Sequence, residues 1–294
     1  MEIFRCSATF SWRKGIQIHP LYPPPPPPTR APQFWRGESL LGKSIAIRWE
    51  EGLGDTIQML RYVGRLVELG AKVYVDVQKP LMPLASHIQN CIPIGTFEGE
   101  SLDVSSLDYF IPVFSLPRLF CETLDKPCRP YLSVPKQQVS AWKRTFDGLP
   151  RPIIAFKWRG ANYHIKNKIR SVDVGQIVSA FDGIGTLVSL QIDRSADEHL
   201  PYNVMDVANE DIVNTAAIMM ASDVVVSICT SMAHLAGALG CPTLLLLSHD
   251  ADWRWLPKNA NNWYSSVTIH QQSKPGDWSA PLLSASASVR NIKL

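Results

Sequence analysis

Five apolar runs of six residues each constrain this chain more than any other feature. They are SIAIRW at 44–49, KVYVDV at 72–77, PIIAFK at 152–157, DVVVSI at 223–228 and PTLLLL at 242–247. Runs this short suit strands better than helices. DVVVSI is of the near-continuous apolar kind found in parallel sheets covered on both sides. Helix-period segments lie between them. Over 56–69, Ile57, Leu60, Val63, Leu66 and Val67 share one face, and Gly70 ends the pattern. Further helices are expected over 81–88, 212–220, 231–239 and 282–289, and further strands over 92–94, 109–114 and 187–191. Strands alternating with helices imply parallel sheets joined by right-handed crossovers. No repeat with a period of 20–50 residues is visible. The 294 residues suffice for two domains, each with its own core. The reading is an α/β chain of two Rossmann-like halves.

Composition divides the chain further. Residues 1–35 contain an unbroken proline run from Pro23 to Pro28, which stiffens into polyproline II and joins neither a helix nor a central strand. This segment is expected to be irregular, a spacer rather than a docking sequence. A first domain is expected over 36–135, a linker over 136–150, a second domain over 151–276 and a C-terminal helix over 277–294. With 46% apolar and 19% charged residues, the composition excludes a wholly disordered chain. A net charge of +3, from scattered basic residues, argues against a nucleic-acid protein and suits a pocket for an anionic ligand. Six cysteines form no CxxC pair and have no histidine at finger spacing, which argues against a metal site. The first residues lack the apolar run of a signal peptide, and no stretch approaches the roughly 18 apolar residues of a membrane span. The expectation is a cytoplasmic protein.

Ligands of open α/β sheets sit beyond the carboxyl ends of the strands, so two turns there draw the chemistry. Glu50-Glu51-Gly52-Leu53-Gly54-Asp55-Thr56 follows the first run. Gly52 and Gly54 allow a tight turn and close approach of a ligand. Asp55 suits a helix cap, and equally a general base facing an acceptor hydroxyl; these residues alone do not choose. The second turn, Ser227 to Gly237, carries Thr230, Ser231 and Met232 at a helix start, a cradle for phosphate or a plain cap. His234 lies one turn in, within reach of a phosphate or sugar hydroxyl, or half-buried. Neither turn is GxGxxG, which leaves a dehydrogenase-type dinucleotide site without support. Between the turns, a polar loop from Trp158 to Ser171 holds Asn162, Lys168 and Arg170. Arg170 offers a bidentate fork for a diphosphate, with Lys168 as an assisting point charge. Asp252 to Trp255 and Trp263-Tyr264 cluster aromatics that suit either a core or a stacking surface.

In this order, WRGESLLGKSIAIRWEEGLGDTIQMLRY, SLPRLF with PYL, KWRGANYH with RS, DVVVSICTSMAHLAGALGCP, and DWRW with WYSS and GDW resemble bacterial glycosyltransferases of the heptosyltransferase-like kind. The narrower resemblance is to the domain found after tetratricopeptide repeats, over roughly residues 35–278. It implies a GT-B fold with the active site between two facing domains, the second binding a nucleotide-diphosphate sugar and the first an acceptor glycan, lipid-linked sugar or protein. It implies no resident cofactor or metal. Asp55 becomes the catalytic base, with Glu51, Gly52, Gly54 and Asn162 on the acceptor side. Lys168, Arg170, Thr230, Ser231, Met232 and His234 become the donor and phosphate site. The chain departs from the family at Cys229, where relatives usually have Asp, at Glu51 within the usual Glu-Gln-Gly, and at Asn167 and Asn214, where acids are common. The expected function is an inverting, metal-independent glycosyltransferase. The rival reading is a weakly active or inactive sugar-nucleotide-binding module on the same fold.

Overall fold

A computed structural model describes residues 32–97, 107–120, 129–161, 165–194, 199–255 and 263–292. The chain divides into compact units of residues 1–122 and 123–294.

The first unit holds β1 (Gln33–Phe34), β2 (Ser44–Arg48), β3 (Lys72–Gln78), β4 (Cys91–Thr96) and β5 (Tyr109–Pro112) in one parallel sheet. The order is β1-β5-β2-β3-β4, so the strand order reverses beside β2. β2 buries Ile45, Ala46 and Ile47 in succession, and β3 buries Val73, Val75 and Val77. The helix expected over 56–69 begins three residues earlier and changes pitch midway. It runs Leu53–Met59, tightens to a 3₁₀ turn at Leu60–Tyr62, and resumes over Val63–Glu68. Ile57, Leu60, Val63 and Leu66 are buried, as their spacing requires, while Val67 is only half-buried. The helix expected over 81–88 shortens to a 3₁₀ turn and Met82–Ala85. Gln33 and Phe34 belong to the segment expected to be irregular. They instead pair with Tyr109 and Phe110, because β5 offers them an open edge. The proline run lies outside the described residues.

The second unit holds β6 (Ile153–Lys157), β7 (Thr186–Ser189), β8 (Val204–Asp206), β9 (Val224–Ile228), β10 (Thr243–Leu247) and β11 (Val267–Gln271), all parallel. Their order, β11-β10-β9-β6-β7-β8, is doubly wound, with the reversal between β6 and β9. On one face Ile154, Phe156, Trp158, Val224, Val226 and Ile228 form a core with the helices Val174–Phe181 and Ser279–Arg290. The helix Ser231–Leu239 lies against β9 and β10, with Ile212–Ala221 beside it. At the amino ends of the central strands, Asp223 accepts hydrogen bonds from the Ile153 N–H at 2.6 Å and from Arg151 at 2.5 Å. That clamp fixes the start of β6 against β9.

Residues 136–150, expected as a linker, contain a helix, Lys136–Thr145, which packs on Ile212–Ala221. Trp142 and Phe146, one turn apart with ring centroids 5.6 Å from each other, give this otherwise polar helix its anchoring stripe. Trp142 Nε1 donates to Asn214 Oδ1 at 2.7 Å, so Asn214 serves as a structural acceptor. Just upstream, the Tyr131 and Leu132 N–H groups donate to the Ala238 carbonyl. Trp142→Phe keeps the ring and deletes this bond. It should lower stability by about 0.5–1.5 kcal/mol, the usual worth of one such bond, in urea denaturation. An unchanged midpoint would refute the tether.

Candidate functional site

In the first unit the polar groups gather at the carboxyl end of β2. Arg48 is the last residue of that strand and is buried. Its Nε lies 3.8 Å from Asp76 Oδ2 on β3. Asp76 Oδ1 accepts from Thr96 Oγ1 on β4 at 2.7 Å, and Thr96 Oγ1 accepts in turn from Trp49 Nε1 at 2.8 Å. This chain of bonds links three strands and satisfies one oxygen of the buried carboxylate, the other facing Arg48 at ion-pair distance. Glu50 accepts from the Phe114 N–H at 3.0 Å, and the Glu51 carbonyl accepts from Gln78 Nε2 at 3.1 Å.

The turn is not made as its glycines suggest. Glu51 takes the left-handed conformation, with φ of 55°, while Gly52 has φ of −82° and serves as the N-cap. Gly54 lies within the first helical turn. The Gly52 N–H donates to Asp55 Oδ2 at 2.9 Å. Asp55 therefore caps the helix while remaining half-exposed, which leaves it accessible to a ligand as well.

In the second unit the groups gather where β6 and β9 end. Thr230 is the N-cap of Ser231–Leu239, and its hydroxyl accepts from the Met232 N–H at 3.3 Å. The same hydroxyl lies 3.4 Å from Ser227 Oγ at the end of β9. Ser231 and Met232 are half-exposed in the first turn. Arg170 Nη1 donates to the Cys229 carbonyl at 2.8 Å, which brings the basic loop against this turn. The Arg170 guanidinium lies over Gly160, where a Cβ would collide with it. The polar loop is partly helical, over Asn167–Arg170. Buried Asn167 shapes it by accepting from the Gly160 N–H at 3.0 Å and from Ser171 Oγ at 3.1 Å. Lys168 is exposed on this short helix, and Asn162 lies outside the described residues. Burial pushes the Cys229 thiol up to about 11, so it stays protonated at neutral pH.

His234 is buried in an aromatic cluster. It is 5% exposed, stacks on Trp255 with centroids 5.2 Å apart, and shares a 2.9 Å hydrogen bond through Nδ1 with the Tyr264 hydroxyl. Burial drives its imidazole down to about 3, with Arg254 adding to the effect. The ring is neutral at any ordinary pH. Gly237 accommodates Tyr264 rather than the sheet, since a Cβ there would sit 2.5 Å from the ring. Trp255, Trp263 and Tyr264 are therefore core residues.

Two features escaped the reading of the sequence. Asp252 and Arg254 pair at 2.9 Å, and Asp252 also accepts from the Arg254 N–H at 3.0 Å. Burial works to raise the Asp252 carboxyl, but Arg254 outweighs it and the net shift is downward. Lys157, the last residue of β6, is buried at 7% exposure. Burial brings its ammonium down to about 8. Its one sequence signal is a lysine closing an apolar strand.

No family model matches the sequence. Protein FlbA of Caulobacter vibrioides is 23% identical over 299 residues, covering 89% of this chain and 50% of FlbA. The chain thus spans about half the length of that relative. Among solved structures, the family 9 glycosyl transferase of Veillonella parvula superposes with a TM-score of 0.63 at 9% identity, covering 86% of this chain and 98% of that one. The E. coli heptosyltransferase WaaC with ADP gives 0.55 at 11% identity, over 83% and 98%. The iron-containing dodecameric glycosyltransferase TibC of enterotoxigenic E. coli gives 0.56 at 14% identity, over 82% and 66%. At these identities the likeness is one of fold, and it is the α/β GT-B fold expected from the sequence.

The His234 box sets a pH dependence. With the folded imidazole near 3 and the ordinary value at 6.5, the unfolded chain binds the extra proton between those limits. Stability is complete above pH 6.5 and falls as the pH drops toward 3. Urea unfolding at pH 7.5 and 5 should show that loss, and His234→Gln should reduce it. Gly237→Ala should cost about 1–3 kcal/mol through overpacking against Tyr264. A neutral effect would show that the ring can withdraw.

Proposed function

We propose that this chain is a glycosyltransferase whose second unit binds a nucleotide-diphosphate sugar and whose first unit supplies the base that activates an acceptor hydroxyl. The observation that carries the reading is the meeting of Arg170 with the Thr230-capped helix at the strand reversal of a doubly wound sheet. A helix N-terminus and a guanidinium together favour a diphosphate, and they favour it more as it departs with added negative charge. That differential stabilisation is what speeds a transfer. The fold shared with WaaC, a heptosyltransferase solved with ADP, supports a nucleotide-diphosphate donor.

Asp55 then takes the proton of the acceptor hydroxyl as its oxygen attacks the anomeric carbon. The bond to the diphosphate breaks on the opposite side, so direct displacement inverts the anomeric centre. The partial exposure of Asp55 in the first turn of the helix after β2 suits this role. The acceptor is a hydroxyl of a glycan, a lipid-linked sugar or a protein. Leaving-group charge is met by Arg170 and the helix, so the reaction proposed needs neither metal nor cofactor. Among the described residues, no group of three or more His, Cys, Asp or Glu side chains is placed to hold a metal ion. Among the same residues, no helix is long and apolar enough to cross a membrane, and the proposed compartment is the cytoplasm. The capping bond on Asp55 and the protonated Cys229 thiol favour a second reading, a module that binds the sugar nucleotide without transferring it.

A panel of nucleotide sugars, titrated by calorimetry and then assayed for transfer with and without EDTA, separates the two readings. Binding followed by EDTA-resistant transfer is the expected result, and binding without transfer selects the module. In the active protein, Asp55→Asn retains an oxygen for the Gly52 N–H and should fold normally. Turnover should still fall at least about a hundredfold, the low end for a general base; a loss below tenfold removes Asp55 from the mechanism. Arg170→Ala should weaken nucleoside-diphosphate binding by about 1.5–3 kcal/mol. Arg170→Lys should recover only part of this, because the fork is lost. Equal affinity for all three proteins would leave Arg170 a structural latch.

A further inference from the structure

Lys157 and Ser227 are register partners across the strand reversal of the second sheet. Phe156 and Trp158 both belong to the core under Val174–Phe181 and Ser279–Arg290. The strand pleat therefore turns Lys157 to the other face. Ser227 turns the same way, since its neighbours Val226 and Ile228 belong to that core. This is the face on which Ser227 Oγ approaches Thr230 Oγ1, the N-cap of Ser231–Leu239. Lys157 thus rises beside the positive end of a helix, with Arg170 nearby.

The lysine is more than nine-tenths buried, and among the described residues its ammonium has neither a hydrogen bond nor an ion-pair partner. The charged groups that act on it are Asp193, Arg159 and Arg170, one acid against two bases. The flanking strands β7 and β9 and the helices Ile212–Ala221 and Ser231–Leu239 carry no acid or base except neutral His234. A buried ammonium whose one neighbouring acid is offset by two bases is costly, and an apolar side chain of similar volume would serve the fold better.

The first unit shows a charge-paired version of the same arrangement. IAIRW ends β2 as IAFKW ends β6, so Arg48 and Lys157 occupy equivalent strand ends, each followed by a buried Trp. Arg48 has Asp76 on the next strand as its counter-charge. On β7 the residues paired with the end of β6 include no acid.

We propose that Lys157 is a binding residue for an anionic phosphoryl group, the diphosphate of the ligand supplying the negative charge that Asp193 alone does not balance among the described residues. The inference rests on the donor-binding reading of the second unit and adds to it a residue on the strand itself. A diphosphate oxygen there meets the ammonium, the helix end and Arg170 together, and a nucleoside without phosphate meets none of them.

Inorganic pyrophosphate, ADP and adenosine are the probes, titrated by calorimetry into the full chain, Lys157→Met and Lys157→Arg at pH 7 and pH 9.5. At pH 7 the Met variant should bind pyrophosphate at least about tenfold more weakly than the unaltered protein, with Arg intermediate. Since the lysine loses its proton near pH 8, the ratio between unaltered and Met proteins should shrink toward one at pH 9.5. Both proteins see the same change in pyrophosphate charge, so the ratio isolates Lys157. Ligand-free Lys157→Met should melt higher than the unaltered chain at pH 7, which separates weak binding from misfolding. A lower melting temperature would assign the ammonium to the fold and overturn the inference. Equal pyrophosphate affinity at pH 7 would also overturn it, while leaving the donor reading intact. Failure of the unaltered chain to bind either pyrophosphate or ADP would overturn both.

Discussion

The pairing of β6 with β9 is the interaction on which the second unit depends. The two strands are 70 residues apart where the Asp223 carboxylate accepts the Ile153 N–H, and no local preference holds them together. Their register sets Lys157 opposite Ser227, brings the Thr230 cap to the same end, and gives Arg170 a carbonyl to grip. A slip of one residue would turn Ile154 and Phe156 out of the core and point Lys157 into it. The apolar pattern of the strands and the polar placement of the site are therefore one specification. In the first unit the same logic runs across β2, β3 and β4, where Arg48, Asp76 and Thr96 occupy successive strands.

The polar side chains of the second unit fall into two groups with different tasks. Asn167, Gly160 and Ser171 shape the loop that delivers Arg170, and they spend their hydrogen bonds on one another. His234, Trp255 and Tyr264 hold the helix Ser231–Leu239 from behind and keep a titratable ring neutral. Lys157 stands between them as a cation on which one acid, Asp193, and two bases, Arg159 and Arg170, act. The surplus of positive charge at this strand end belongs to the site and not to the chain, whose scattered charges nearly balance.

How much of this is legible in the sequence follows from which contacts are local. The central strands are legible because a strand covered on both faces must be apolar throughout, as in DVVVSI. β8 and β11 are not, since one is three residues long and the other, VTIHQ, alternates with a histidine and two polar residues. The helix Lys136–Thr145 hides because its packing rests on Trp142, while Lys, Gln and Arg fill its other faces. Thr230 and Arg170 are visible as a cap and as a basic residue in a loop beside the strand ends. The fate of His234 is not visible, because Tyr264 comes 30 residues later and Gly237, which admits its ring, reads equally well as a site of helix–sheet packing. At Glu51 the glycines nearby mislead, since the left-handed residue is the one without a glycine's freedom.

The Trp142 anchor also bears on the order in which the chain is made. Its acceptor, Asn214, is 72 residues downstream. At synthesis rates of about 5–20 residues per second, the helix Lys136–Thr145 waits roughly 4–14 seconds for its partner to leave the ribosome. Ten residues are too few to hold a helix in water alone. Through that interval the Trp142 indole lacks its acceptor, and the hydrogen bond forms only once Ile212–Ala221 has been made.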